Sequence, residues 1–321
     1  MDRPTIALVG ATGFIGARLV AALVRAGYPV RVAARRRERA RHLATMPVEV
    51  VELEGLDAGS LTRVVAGAGV AINLVGTLHG GHGTPYGEGF RQLHVALPGA
   101  LAAACAGAGA GVAQLVQVSA LGADSQGPSM YQRSKGDGEA ALHAAAAASG
   151  GALAVTVLRP SVVFGPGDAF LTTFARLQRL LPVLPLAMPD AQFQPVYVGD
   201  VAQALLAVAG NRAAYGRTYE LGGPRVYTLE QLVRYCGALV GRQARIIRLP
   251  DALARLQACV FEHLPGEPVI TRDNLDSMRV PNVLSGPLAP ELGVRPASLE
   301  SVAPGYLAAG GTRYDAWRSR R

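Results

Sequence analysis

The sequence predicts an α/β protein, a doubly wound parallel Rossmann-type sheet followed by a smaller, irregular C-terminal substrate region. Three observations predict it. Short β-branched runs alternate with helix-length stretches as far as Arg159. The runs are mostly apolar and do not alternate strictly, as strands buried on both faces of a parallel sheet do not. A glycine-rich turn joins the first run to the first helical stretch, where such sheets bind dinucleotides.

Taken in order, the strand candidates are 5–9, 30–34, 48–53, 70–75, 115–120 and 153–158. Between them lie helix-like stretches at 14–26, 37–44, 60–67, 88–108 and 131–149. After Arg159 the rhythm loosens, and proline-punctuated segments such as 180–189 mix with helices near 200–209, 228–240 and 250–262. The expected division is a dinucleotide-binding domain over 1–223, with 168–191 contributing to the pocket, and a substrate or partner region over 224–321. Loops 76–89 and 122–129 follow predicted strands at the carboxyl edge, where binding loops belong.

A chain of 321 residues that is 50% hydrophobic is long enough for a real core, which excludes a disordered or fibrous protein. The net charge of +8 is local, because residues 1–41 carry nine Arg against Asp2 and Glu38. One short basic segment in a chain with 6% aromatics points to a small phosphate ligand and not to nucleic acid. Cys105, Cys236 and Cys259 are scattered and form no metal-binding spacing, as expected of a reduced, cytoplasmic chain. The N-terminus has no signal-peptide pattern. The uncharged run 92–123 is rich in Ala and Gly, contains Pro98 and ends in LVQVSA, so it reads as a buried helix and strand, with no transmembrane segment.

The first turn reads Gly10-Ala11-Thr12-Gly13-Phe14-Ile15-Gly16. With 39 Gly in the chain, this glycine spacing is expected roughly 0.6 times by chance, so its weight lies in its position between strand and helix. There the glycines permit a tight turn and bring a pyrophosphate to the helix N-terminus, with Gly10, Thr12, Gly13, Phe14, Ile15 and Gly16 as contacts. At the end of the second strand stand Arg35, Arg36 and Arg37, with no carboxylate before Glu38. A ribose 2′-phosphate suits them, so NADP(H) is expected over NAD(H), with Arg35 and Arg36 as its ligands.

Of the 31 basic residues one is lysine, Lys135, and Tyr131 lies four positions before it. For ten tyrosines the chance of that coincidence is roughly 3%, so this signal is stronger than the glycines. The spacing puts both on one helix face. A nearby ammonium favours the phenolate of a group whose ordinary pKa is about 10, and it can hold ribose hydroxyls as well. Tyr131 is then the expected acid/base while hydride moves to or from a nicotinamide, and Ser119, at the end of the fifth strand, is placed to bond the same substrate oxygen.

Together with these residues, RPSVVFGP (159–166) and QPVYVGDVA (194–202) resemble the extended and atypical short-chain dehydrogenase/reductases over most of the chain. Within that superfamily, VSALGAD, YQRSKGDGE, RPSVVFGPGD and ITRDN are similar to bacterial relatives of the NADPH-binding accessory subunit of respiratory complex I. The resemblance implies NAD(P) across the switch point of a Rossmann-type sheet. It also implies Leu74, Val75 and Gly76 near the adenosine, Pro160 through Val163 beside the nicotinamide, and Tyr131 with Lys135 as the catalytic pair. One departure is His94, in the region where many members carry an active-site Asn.

Two functional readings follow. In one the chain is an NADPH-dependent oxidoreductase or epimerase acting on an organic carbonyl or alcohol of quinone, sterol or sugar-nucleotide type. In the other it is a nucleotide-loaded accessory protein of complex I or of ubiquinone synthesis, weakly peripheral at the inner membrane. His79 and His82 read as a mobile substrate or partner loop and not as a metal site, Asp168 as a helix cap, and the Trp317–Arg321 stretch as a basic tail.

Overall fold

Six strands of the central sheet fall on the six apolar runs: β1 (Ile6–Val9), β2 (Val30–Ala34), β3 (Val48–Glu52), β4 (Val70–Asn73), β5 (Gln114–Val118) and β6 (Ala154–Pro160). The computed structural model describes residues 3–308 apart from 44, 108, 110 and 267, so Trp317–Arg321 lies outside the described residues. A seventh strand, Thr218–Leu221, adds beside β6, giving the order Thr218–Leu221, β6, β5, β4, β1, β2, β3. Every pairing in this sheet is parallel. The fold is therefore the doubly wound Rossmann type, and the strand order reverses between β1 and β4, the switch point at whose carboxyl ends such sheets bind ligands.

Burial on both faces explains the apolar runs of the inner strands, whereas the edge strand β3 carries exposed Glu49 and Glu52. Ala7, Val9, Ala71, Leu115, Val155 and Val157 share one core with Leu61, Leu101 and Leu142 of the helices Ala58–Val65, Leu97–Ala106 and Met130–Ala148. The alternate strand residues Ile6, Leu8, Ile72, Val116 and Leu158 are equally buried. Two further helices, Phe14–Arg25 and Val198–Val208, pack on each other.

Three elements differ from expectation. The stretch 37–44 is a 3-10 segment, Arg37–Leu43, in place of a helix. The long helix expected over 88–108 is Glu88–Phe90, a π turn over Arg91–Ala96 and Leu97–Ala106, with Pro98 tolerated in the first α turn. The seventh strand escaped the sequence because only Tyr219 and Leu221 of its four residues are buried, so it carries no apolar run.

The chain divides into two units. One comprises residues up to 160, 198–221 and 284–295, and holds the sheet; the other comprises 161–197, 222–283 and residues from 296 on. The second unit has its own core around Phe164, Leu171, Leu232, Leu299 and Leu307. Its regular pieces include the helices Phe170–Leu180, Leu229–Leu239, Asp251–Glu262 and Arg272–Ser277 and three short strand pairs, among them Val183–Leu186 parallel to Arg245–Arg248. Asp168 caps the first helix, accepting from Leu171 N at 2.8 Å and Thr172 N at 3.2 Å. In ITRDN, Thr271 and Asn274 form a capping box that starts Arg272–Ser277, a local reason for that motif.

One close approach sets the depth of the π turn. A Cβ on Gly138 would stand 1.9 Å from the His94 carbonyl oxygen, whereas one on Gly99 would meet nothing within 4 Å. Gly138→Ala is expected to lose about 1–3 kcal/mol of stability, as overpacking does. Gly99→Ala, inside a helix, is expected to gain about 0.5–1 kcal/mol. Urea denaturation followed by circular dichroism checks both, and equal effects would contradict the packing described.

Candidate dinucleotide and catalytic site

The turn after β1 is shaped by contact. Gly10 has φ +86°, and a Cβ there would lie 2.9 Å from both Val75 N and Val75 Cγ2, so the turn rests against the Leu74–Val75 backbone. Gly13 is the N-cap of Phe14–Arg25, with no side-chain cap and no acidic residue in the first turn. The helix dipole and the first-turn N–H groups around Ile15 and Gly16 are thus left for an anion, the donor set a dinucleotide pyrophosphate needs. At the end of β2, Arg35 and Arg36 are exposed and pair with no carboxylate among the described residues. Arg31, by contrast, is committed to Glu49 at 2.7 Å.

Buried Asn73 fixes the next segment. Its Nδ2 donates to Gln117 Oε1 at 2.9 Å, and its Oδ1 accepts from Val75 N at 3.1 Å, which orients Leu74, Val75 and Gly76. Loop 76–89 then departs from the mobile segment expected, because it is tied to the helix Met130–Ala148. Arg133 Nε and Nη2 donate to Pro85 O at 3.1 and 2.7 Å, and Tyr86 OH donates to Asp137 Oδ2 at 2.9 Å. His79 and His82 are exposed, and among the described residues no three His, Cys, Asp or Glu side chains cluster as a metal site.

A capping box of Ser129 and Gln132 starts Met130–Ala148, putting Tyr131 in the first turn and Lys135 one turn on. Lys135 is buried, with Nζ 3.5 Å from Val118 O and 5.9 Å from the Tyr131 ring centroid. A Cβ on Gly76 would come within 3.2 Å of that nitrogen, so the β5 end, the β4 loop and the helix converge on it. Burial pushes the Lys135 ammonium down to about 8, opposed by the Glu139 carboxylate one turn further. Glu139 is held in turn by a bidentate pair with Arg159, Nε to Oε1 at 3.0 Å and Nη2 to Oε2 at 2.6 Å. Next to Val118, the Ser119 Oγ is the buried side-chain polar atom left without a hydrogen-bond partner among the described residues. Such an atom is costly to leave unmatched, and a substrate oxygen would satisfy it.

His94 sits beside this group in a role the sequence left open. Thr77 N donates to its Nε2 at 3.0 Å, which places the imidazole proton on Nδ1, facing Ser134 Oγ at 2.8 Å. Ser134 Oγ then donates to Tyr131 O at 2.8 Å, closing the network. Burial, with Lys135 adding to it, pushes His94 down to about 2, so the ring is neutral in any ordinary buffer. Its ring meets Tyr131 edge-on at 5.5 Å and Phe90 at 5.3 Å. His94 therefore braces the loop and the Tyr131 turn, and carries no mobile proton.

Pro160 closes β6 in the first unit, its carbonyl accepting from Leu121 N at 3.0 Å. Val163 belongs to the second unit, in a strand pair with Val196–Tyr197. There Asn282, missed from sequence because a lone Asn near a proline carries no pattern, fixes the segment before it, its Oδ1 accepting from Ser161 Oγ at 2.6 Å and Val162 N at 2.9 Å. The second unit also holds a cavity of about 520 Å³ lined by Met188, Leu249, Ala254 and Met278 together with the polar Asp190, Gln192, Asp251 and Arg279.

Against known proteins, the profile of the NAD dependent epimerase/dehydratase family matches residues 6–222. Subunit 9 of the NADH dehydrogenase (ubiquinone) 1 alpha subcomplex, mitochondrial, from Arabidopsis thaliana is 31% identical over 86% of this chain and 70% of its own length. A ceramide reductase from Caulobacter vibrioides is 33% identical over 78% of this chain and 74% of its own. Among solved structures, a UDP-glucose 4-epimerase from Thermotoga maritima superposes with a TM-score of 0.70 at 18% identity, covering 99% of this chain and 100% of that one, a likeness of fold. A glycine turn with an open helix N-terminus, a buried Lys135 beside Tyr131 and a matching profile over two thirds of the sequence lead to one assignment: the chain belongs to the NAD dependent epimerase/dehydratase family.

Proposed function

We propose that the chain is an NADPH-dependent oxidoreductase that interconverts the carbonyl and alcohol forms of a lipid-soluble substrate of quinone, sterol or sphingolipid type. The observation that carries this reading is the buried, unmatched Ser119 Oγ close to the buried Lys135 ammonium, whose one hydrogen bond among the described residues runs to the Val118 carbonyl at 3.5 Å. The residues of the Gly10 turn would hold the pyrophosphate, Arg35 and Arg36 the 2′-phosphate, and Lys135 the nicotinamide ribose, with Leu74, Val75, Gly76 and Pro160 lining the rest. Bound there, the nicotinamide would supply the hydride.

The remaining chemistry belongs to the side chains. Ser119 Oγ donates to the substrate oxygen and orients it. Tyr131 gives its phenolic proton to that oxygen as the carbon receives hydride, and the phenolate left behind is stabilised by Lys135. Because the His94 nitrogens are both engaged and the ring stays neutral, Tyr131 is reprotonated from solvent or from Lys135 and not through His94. The ceramide reductase relative supports a substrate with aliphatic character over a sugar nucleotide.

A second reading, a nucleotide-loaded accessory protein of a respiratory assembly peripheral to a membrane, is favoured by the likeness to subunit 9. Turnover separates the two. With a panel of quinones, keto-sterols and 3-keto-sphingolipids, Tyr131→Phe is expected to lower NADPH oxidation by at least about 100-fold while NADPH stays bound, the scale of a lost general acid. No turnover of any panel member by the wild type favours the accessory role, and undiminished turnover in that variant contradicts Tyr131 as the general acid. Arg35→Asp is expected to weaken NADPH about tenfold and leave NADH within about twofold, measured by nucleotide fluorescence; equal losses contradict the 2′-phosphate assignment.

A further inference from the structure

The helix Asp251–Glu262 of the second unit is apolar on the wrong side. Its inward face is small, with Ala254 and Ala258 buried against Ala187 and Leu275. Its outward face carries Leu253, Leu256 and Val260, 52, 60 and 51% exposed, and Leu264 just past its end is 54% exposed. Positions 253, 256, 260 and 264 recur at helical spacing, so they form one stripe. The charged residues of the same helix are already paired: Arg255 with Asp276 at 2.7 Å, and Glu262 with Arg272 at 2.8 Å.

The stripe continues onto a neighbouring strand pair. Gln257 Nε2 donates to Pro185 O at 3.3 Å, and Pro185 stands opposite Ile247, itself 46% exposed. Two pairs along the ladder, on the same side of the strands, the exposed Val183 stands opposite Arg245. Arg245 N in turn bonds Pro182 O, and Arg242 Nη1 bonds Arg179 O at 3.1 Å. Arg179, Arg242 and Arg245 have no carboxylate partner among the described residues. The face thus joins large aliphatic side chains to uncompensated guanidinium groups.

We propose that this face docks on an anionic lipid bilayer, with Leu253, Leu256, Val260 and Leu264 entering the interface and Arg179, Arg242 and Arg245 meeting the headgroups. Two observations select lipid over a second copy of the chain. Stable protein interfaces take about 20–30 residues a side, and this face offers far fewer large apolar groups. A twofold interface would also bring two sets of these uncompensated arginines into one contact, whereas an anionic surface complements them. Among the described residues no helix is long and apolar enough to cross a membrane, so the contact is peripheral.

Flotation of the full chain tests the proposal, using vesicles of phosphatidylcholine alone and vesicles with about a third phosphatidylglycerol. The wild type is expected to float at least about tenfold better with phosphatidylglycerol, and to lose that advantage at high salt. The triple variant Leu253→Ser, Leu256→Ser, Val260→Ser is expected to stay unbound while melting as the wild type does. Leu256→Trp, which keeps an apolar side chain, is expected to bind and to shift its fluorescence to the blue on vesicles. Absent flotation, equal flotation of the serine variant, or a dimer in sedimentation that dissociates when the stripe is changed to serine would each overturn it. NADPH binding and turnover play no part in these readouts, so failure here leaves the proposed activity untouched.

Discussion

A buried ammonium is the constraint around which the first unit is arranged. Lys135 gives up nearly all its water, which is costly for a charge unless partners surround it. Val118 O and the charge of Glu139 one turn away repay part of that cost, and Glu139 stays in place because Arg159 grips both its oxygens. The capping box at Ser129 and Gln132 fixes where the helix starts, and so where Lys135 comes to rest. Gly76 is small enough to pass the nitrogen. What these partners leave unmet is a charge beside an unmatched Ser119 hydroxyl, an arrangement that a bound ribose and a substrate oxygen would complete.

His94 shows how a residue type can mislead about its work. An imidazole among catalytic groups suggests proton transfer, yet its two nitrogens are both engaged and burial holds it neutral. Its task is mechanical: through Thr77 and Ser134 it joins the loop after β4 to the turn that carries Tyr131. The π turn Arg91–Ala96 carries it, and Gly138 lets the His94 carbonyl lie against the helix Met130–Ala148. Loop 76–89 gains its order from the same helix through Arg133 and Asp137.

Much of this was legible in the sequence where local chemistry decides. The six apolar runs announced their strands because both faces of a parallel sheet are buried, and Tyr131 with Lys135 stood out against an arginine-rich background. What the sequence hid depends on partners far apart in the chain. The loop 76–89 reads as slack glycine until Arg133 and Asp137 are seen to hold it, and the ITRDN motif as a family signature until Thr271 and Asn274 are seen to cap a helix. Asn73, Gln117 and Asn282 carry no pattern at all; Asn73 and Gln117 are buried and Asn282 half-buried, and only their partners show that each orients a backbone. The second unit was hardest, since its strands are two to four residues long and pair across gaps of about 30 to 60 residues, beyond the reach of any local period.

If Lys135 is the centre of a nucleotide site, its charge must be felt by the nucleotide. Titration calorimetry of NADPH into the wild type and Lys135→Met, repeated from pH 6 to pH 10, tests this most directly. The ammonium of the free protein is protonated below about 8 and lost above it, so wild-type affinity is expected to hold on the acid side and fall as pH rises through that value. Lys135→Met is expected to bind at least about tenfold more weakly and to lose that dependence, because one charge-assisted hydrogen bond is worth about 1.5–3 kcal/mol. Equal affinity in the two proteins, with the same pH profile, would contradict the account.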